Sequence, residues 1–91
     1  MGTQEETLVQ KKDKTIPVLG HRIILHNDDW NTFEHVEKCL MDYCGHSLEQ
    51  ATQCAFIVHY KGKCDVKSGS KEDLTPIYRT LLECKLTVTI E

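Results

Sequence analysis

The tripeptide Gly45-His46-Ser47 constrains this chain more than any other feature, because it ends one helix and begins the next within three residues. Glycine tolerates the left-handed backbone that closes a helix at its C-terminus. Ser47-Leu48-Glu49-Gln50 fits the reciprocal capping box, in which a Ser hydroxyl and a Gln side chain each take a backbone N–H left free by the first turn. Downstream, Ala51, Cys54, Ala55 and Val58 recur at i, i+3, i+4 and i+7, and Gly62 supplies the stop. Upstream, Phe33, Val36, Leu40, Tyr43 and Cys44 keep helical spacing. Asn31, with Glu34 three residues on, is expected to cap that earlier helix.

The remaining segments alternate with these helices. His21 to His26 reads as a strand with β-branched Ile23 and Ile24 at its centre. Lys63 to Lys67 reads as a short strand broken by Ser68-Gly69-Ser70. A third helix runs to about Cys84. It starts either at the caps Ser70 and Asp73 or at Thr75 with Pro76 in its first turn, since proline deeper in a helix removes a bond and clashes. Leu86, Val88 and Ile90 alternate with Thr87, Thr89 and Glu91, so the chain ends on a strand. The order is β-α-α-β-α-β. It implies an α+β sandwich, a three-stranded sheet with helices packed on one face. Residues 21–91 form this core domain. Residues 1–20, crowded with Glu5, Glu6, Lys11, Lys12, Asp13 and Lys14, read as a flexible N-terminal extension.

Composition removes several classes of function. The chain has 14 acidic and 11 basic residues and a net charge of −3, which argues against a nucleic-acid surface. No apolar run is long enough to span a bilayer. No signal segment follows Met1, and Glu6 stands where a myristoylation motif needs Ser or Thr, so a cytoplasmic protein is expected. The five cysteines are odd in number and contain no Cys-x-x-Cys pair, so neither a disulfide framework nor a zinc site is expected. Cys39 and Cys54 fall near apolar helix faces and read as small hydrophobes.

Two polar clusters remain. Asn27-Asp28-Asp29 follows the first strand, and His59-Tyr60-Lys61-Gly62-Lys63 closes the second helix. Asp28, Asp29 and His59 as metal ligands are disfavoured, because adjacent side chains diverge. Asp28 and His59 as an acid–base pair of a small hydrolase lack a neighbouring nucleophile. A solvated turn and a histidine at a helix end are the plainest reading. Recognition of an ammonium group is the fourth. Asn27, Asp28 and a neutral His59 are acceptors, an amine is a donor, and Phe33, Val36, Ala55 and Val58 can line an apolar cavity beside them.

The stretch from Ile24 to Phe33, Gly45-His46-Ser47 with Ala51-Thr52-Gln53, and Val58-His59-Tyr60-Lys61-Gly62-Lys63 together resemble the ClpS family. These are adaptors of ATP-dependent Clp proteases, and the similarity runs from about His21 to Lys63. The resemblance implies a protein without catalytic activity, cofactor or metal. Such an adaptor binds proteins with a destabilising N-terminal Leu, Phe, Tyr or Trp and delivers them to a Clp AAA+ unfoldase. By the same resemblance, Asn27, Asp28 and His59 hold the α-amino group. Leu25, Asn31, Phe33, Val36, Ala55, Val58 and Leu86 form the side-chain pocket. The extension before Gly20 engages the unfoldase, and Lys71, Glu72 and Asp73 fall near the contact with its N-terminal domain. A monomer that meets no nucleic acid and no membrane is expected. Phe33 and Ala55 depart from the methionines common at these positions in the family. An interaction module that has lost N-terminal recognition is the alternative.

Overall fold

Asn27 leaves the end of β1 (His21–His26), the middle strand of a three-stranded antiparallel sheet ordered β2-β1-β3. The computed structural model describes residues 20–91, so the extension expected over residues 1–20 lies, apart from Gly20, outside the described residues. β2 spans Lys63–Gly69 and β3 spans Val88–Ile90. Helices α1 (Phe33–Cys44) and α2 (Leu48–Lys61) connect β1 to β2, and α3 (Lys71–Glu83) connects β2 to β3. This is the β-α-α-β-α-β order read from the sequence.

A central strand is covered from both edges, and Ile23, Ile24 and Leu25 are each at most 2% exposed. Alternation sends Ile23 and Leu25 to the helical side. There they join Leu40, Ala51, Leu74, Leu81 and Leu86 in one apolar core. Ile24 points the other way and lies outside that core. Its cross-strand partners are Asp65 and Thr89. Around it Arg22 bridges Asp65 at 3.0 Å and Glu91 at 3.2 Å, and His26 Nε2 meets Thr89 Oγ1 at 2.9 Å. Exposed ion pairs contribute at most about 1 kcal/mol each.

The β1–β2 register slips between Ile23 and Ile24, whose partners are Lys67 and Asp65, so Val66 is the extra residue of a bulge. Val66 is buried in the core. The Val66 carbonyl accepts from His46 Nε2 at 2.7 Å. A carbonyl only accepts, so the His46 proton sits on Nε2. His46 thereby ties the α1–α2 connection to β2.

The helix ends follow local chemistry. Gly45 and Gly62 take φ of 74° and 93°, the left-handed values their positions predict. The capping box of α2 is complete: Ser47 Oγ accepts from Gln50 N–H at 3.1 Å and Gln50 Oε1 accepts from Ser47 N–H at 2.8 Å. α1 corrects the expectation. Its cap is Thr32, whose hydroxyl accepts from His35 N–H at 3.0 Å, and not Asn31, whose amide is drawn to other partners. Tyr43 is also turned outward, at 44% exposure, with Cys39, Leu40 and Cys44 inside. α3 starts after Ser70, with Pro76 in its interior. Pro76 has no N–H to give the Glu72 carbonyl, and both residues are exposed. β2 runs on through Ser68 and Gly69, which pair with Arg22 and His21. Among the described residues, no helix is long and apolar enough to cross a membrane.

Ser47→Ala removes one half of the capping box that starts α2. A loss of about 1 kcal/mol is expected. In a domain of this size that lowers Tm by about 4–8 °C, which a thermal melt followed by circular dichroism reads directly.

Candidate functional site

The backbone N–H of Asn27 donates to the carbonyl of Gly62 at 2.9 Å. That single bond sets the end of β1 against the C-terminal cap of α2. It explains why Asn27 and His59, far apart in sequence, reach the same place.

The Asp28 carboxylate then shapes the turn. Oδ1 accepts from Trp30 N–H at 3.2 Å and Asn31 N–H at 3.0 Å. Oδ2 accepts from Asn31 Nδ2 at 2.7 Å and Thr87 Oγ1 at 3.2 Å. A carboxylate offers about four lone-pair positions, so its capacity is largely filled from within. Burial by itself raises the Asp28 pKa. The hydrogen bonds from the Asn31 backbone and side chain, Trp30 and Thr87 outweigh it and hold the carboxyl below its ordinary 3.8. Asn31 also donates to the Lys85 carbonyl at 2.9 Å, and the Trp30 indole N–H donates to the same oxygen at 3.2 Å. Lys85 holds φ of 71°, left-handed for a residue with a Cβ. His35 Nε2 meets the Cys84 carbonyl at 2.8 Å. The turn before α1 is thus fastened to the corner between α3 and β3.

Beside this turn, β1, α1 and α2 border a concave site, partly open to solvent, of about 330 Å3 counted with the open space at its mouth. Its polar rim is His26, Asn27, Asp28, Asn31 and His59, and its apolar wall is Leu25, Phe33, Val36, Ala55 and Val58. Among the described residues, the Asn27 amide and the His59 ring make no side-chain hydrogen bond and stand exposed. His59 is held instead by ring contacts. Its centroid lies 5.4 Å from Phe33 at 70° and 5.0 Å from Tyr60 at 83°. Phe33 also meets Phe56 edge-on at 5.4 Å, and Phe56 stacks on Tyr60 at 6.1 Å. Edge-to-face geometry is the favoured one for such rings.

Nine of the residues singled out in the sequence line this one site: Leu25, Asn27, Asp28, Asn31, Phe33, Val36, Ala55, Val58 and His59. Leu86 does not. It is 3% exposed and packs in the core beside Leu81, because its N–H is fixed to the Leu81 carbonyl at the tight exit from α3. His26 lines the site unforeseen. Thr87 and Lys85, which fix the turn, carried no sequence signal. Asp29 stays exposed outside the lining. Lys71, Glu72 and Asp73 form the exposed first turn of α3 and take no part in the cavity. Among the described residues, no group of three or more His, Cys, Asp or Glu is arranged to hold a metal ion.

Comparison with known proteins bears on what such a site does. A family model described as "ATP-dependent Clp protease adaptor protein ClpS" matches residues 19–85. The ATP-dependent Clp protease adapter protein ClpS of Thermosynechococcus vestitus is 36% identical over 70 residues, covering 76% of this chain and 74% of that one. The protein of the same name from Nostoc is 36% identical over 76 residues, covering 82% and 76%. In structure, the chain is similar to Agrobacterium tumefaciens ClpS2 bound to L-phenylalaninamide, with a TM-score of 0.75 and 18% identity, over 79% of this chain and 94% of that one.

Replacing Asp28 with Ala strands the Asn31, Trp30 and Thr87 donors. A loss of about 1–3 kcal/mol is expected at neutral pH. A carboxyl whose folded pKa is depressed stabilises the fold above the unfolded value of 3.8 and loses that contribution as pH falls through the lower folded value. The gap between wild type and D28A in urea denaturation therefore closes on acidification below pH 3.8.

Proposed function

The chain belongs to the ClpS family of ATP-dependent Clp protease adaptors, and from that membership we propose that its cavity receives the first residue of a substrate protein and recognises the free α-amino group beside it. An adaptor works between the Clp unfoldase and its substrates and is not itself an enzyme, so the hydrolase reading of Asp28 and His59 falls away. What the cavity takes is the finer question.

One observation carries the reading. Among the described residues, the Asn27 amide oxygen and the His59 ring are acceptors without internal partners, and they stand at the mouth of an apolar cavity. A charged α-amine brings three donors. In this reading Asn27 and a neutral His59 nitrogen take two of them. Asp28, whose lone pairs are largely used, contributes its negative charge close by. The apolar wall of Leu25, Val36, Ala55 and Val58 takes a side chain such as Leu or Phe. The L-phenylalaninamide bound by Agrobacterium ClpS2 is a molecule with a free α-amine, a large apolar side chain and an amide where a chain would continue. It supports the same occupant here. Lys71, Glu72 and Asp73, exposed and outside the cavity, suit a separate contact with the unfoldase.

Hydrogen bonds to a charged group contribute about 1.5–3 kcal/mol each. Micromolar binding amounts to about 8 kcal/mol. Acetylating the N-terminus of a Leu-starting peptide removes charge and donors together. Fluorescence anisotropy is expected to show at least a ~100-fold weaker Kd for the acetylated peptide. A peptide starting with Glu is expected to bind as poorly. Equal affinity for the free and acetylated peptides would reject amine recognition and favour an interaction module without it.

Phe33 sets the shape of the mouth. Its ring is fixed between Phe56 and His59, whereas the methionine common in the family would re-pack around different ligands. A β-branched first residue places its extra methyl near the rim. Phe33→Ala is therefore expected to raise affinity for Ile- and Val-starting peptides about tenfold relative to Leu. Wild-type protein that already binds Ile as tightly as Leu would show that Phe33 is no gate.

A further inference from the structure

Cys54 on α2 and Cys64 on β2 hold their Sγ atoms 2.7 Å apart, both as free thiols. The fold aims them at each other. Cys64 is the cross-strand partner of Leu25 and so shares its helical side of the sheet. Cys54 lies on the buried face of α2, one turn before Val58. The Asp65 carbonyl lies 3.6 Å from the Cys54 sulfur and 3.4 Å from the Cys64 sulfur. A covalent S–S bond is about 2.05 Å long, so a small rotation of either side chain closes the gap. Exposure differs usefully between the two: Cys54 is buried at 5%, while Cys64 is only half-buried. An oxidant therefore reaches the pair from the β2 side.

We propose that Cys54 and Cys64 form an oxidation site that reacts with a hydroperoxide and closes into a disulfide, clamping α2 onto β2 beneath the cavity. The Cys64 thiolate attacks one peroxide oxygen. The O–O bond breaks, Cys64 becomes a sulfenic acid, and the remaining oxygen leaves as an alcohol, or as water when the oxidant is hydrogen peroxide. Cys54 sulfur then attacks the Cys64 sulfur. The S–O bond breaks, and the departing hydroxide leaves as water with the proton of the Cys54 thiol. Two thiols are oxidised by two electrons and one hydroperoxide is reduced. Burial, followed by the adjoining Cys64 thiol, raises the Cys54 pKa, which suits Cys54 to resolving rather than initiating.

Neither cysteine lines the cavity. The bond would close a loop whose ends are ten residues apart and which carries Val58, His59 and Gly62. It would stiffen that corner against unfolding and leave the ligand space untouched. The proposal stands independently of what the cavity binds. Disulfides in reducing compartments are characteristically transient ones of this kind.

The test uses the full chain treated with hydrogen peroxide, then blocked at its remaining thiols. Digestion with trypsin and a glutamate-specific protease leaves Gln50–Lys61 and Cys64–Lys67, each with one cysteine. Mass spectrometry is expected to find these two fragments joined and three thiols blocked of the five. Tm is expected to rise by about 10 °C and to fall back with dithiothreitol. Cys64→Ser should abolish the rise. Joined fragments containing Cys84 instead, dimers linked between chains, or a Cys64 that proceeds to sulfinic acid while Cys54 stays free would each overturn the proposal. If the serine variant does not fold, the fragment map of the wild-type protein decides alone.

Discussion

The Asp28 carboxylate is the interaction on which the arrangement of this domain depends. Four donors converge on its two oxygens, three from the turn that follows it and one from Thr87 ahead of β3. Asn31 continues the chain of bonds to Lys85. The exit of β1, the entry of α1 and the approach to β3 are therefore one hydrogen-bonded unit. Were this charge removed, three half-buried donors and one exposed one would lose their acceptor. The turn is rigid because it is satisfied, and its rigidity is what places Asn27 and Asn31 at the rim of a cavity.

The same accounting separates residues that hold the turn from residues that, in the proposed reading, face a ligand. Asp28 has spent its acceptors on the protein. Asn27 and His59 have not, and they reach the cavity from opposite elements joined by the Asn27–Gly62 backbone bond. His59 is steadied by aromatic edges rather than by hydrogen bonds, which leaves its ring nitrogens available. For the proposed amine, an acceptor set fixed in advance lowers the ordering entropy spent on binding.

Much of this was legible in the residues themselves. The stops at Gly45 and Gly62, the box at Ser47 and the alternation from Leu86 to Ile90 are local signals, and each gives the element it predicts. The errors fall where a distant partner overrules local preference. Asn31 is a good cap by its own chemistry, but Asp28 and Lys85 compete for its amide, and Thr32 takes the cap instead. Of the two starts the sequence offers for α3, the helix takes Ser70, with Pro76 exposed in its interior. Resemblance alone points Leu86 to the cavity wall, while the backbone bond to Leu81 turns it into the core. Lys85 adopts its left-handed turn without glycine, so no pattern in the sequence marks it.

The bulge at Val66 has a consequence for the sheet as a whole. β2 is an edge, and its outer row of N–H and C=O groups is a template on which another strand could add. An inserted residue breaks the even spacing of that row and increases the local twist. Lys63, Asp65 and Lys67 place charge along the same seven-residue strand. At the other edge, β3 offers only three residues. Among the described residues, a second sheet thus finds no long, flat, uncharged border to extend, which disfavours edge-to-edge pairing between copies of this adaptor.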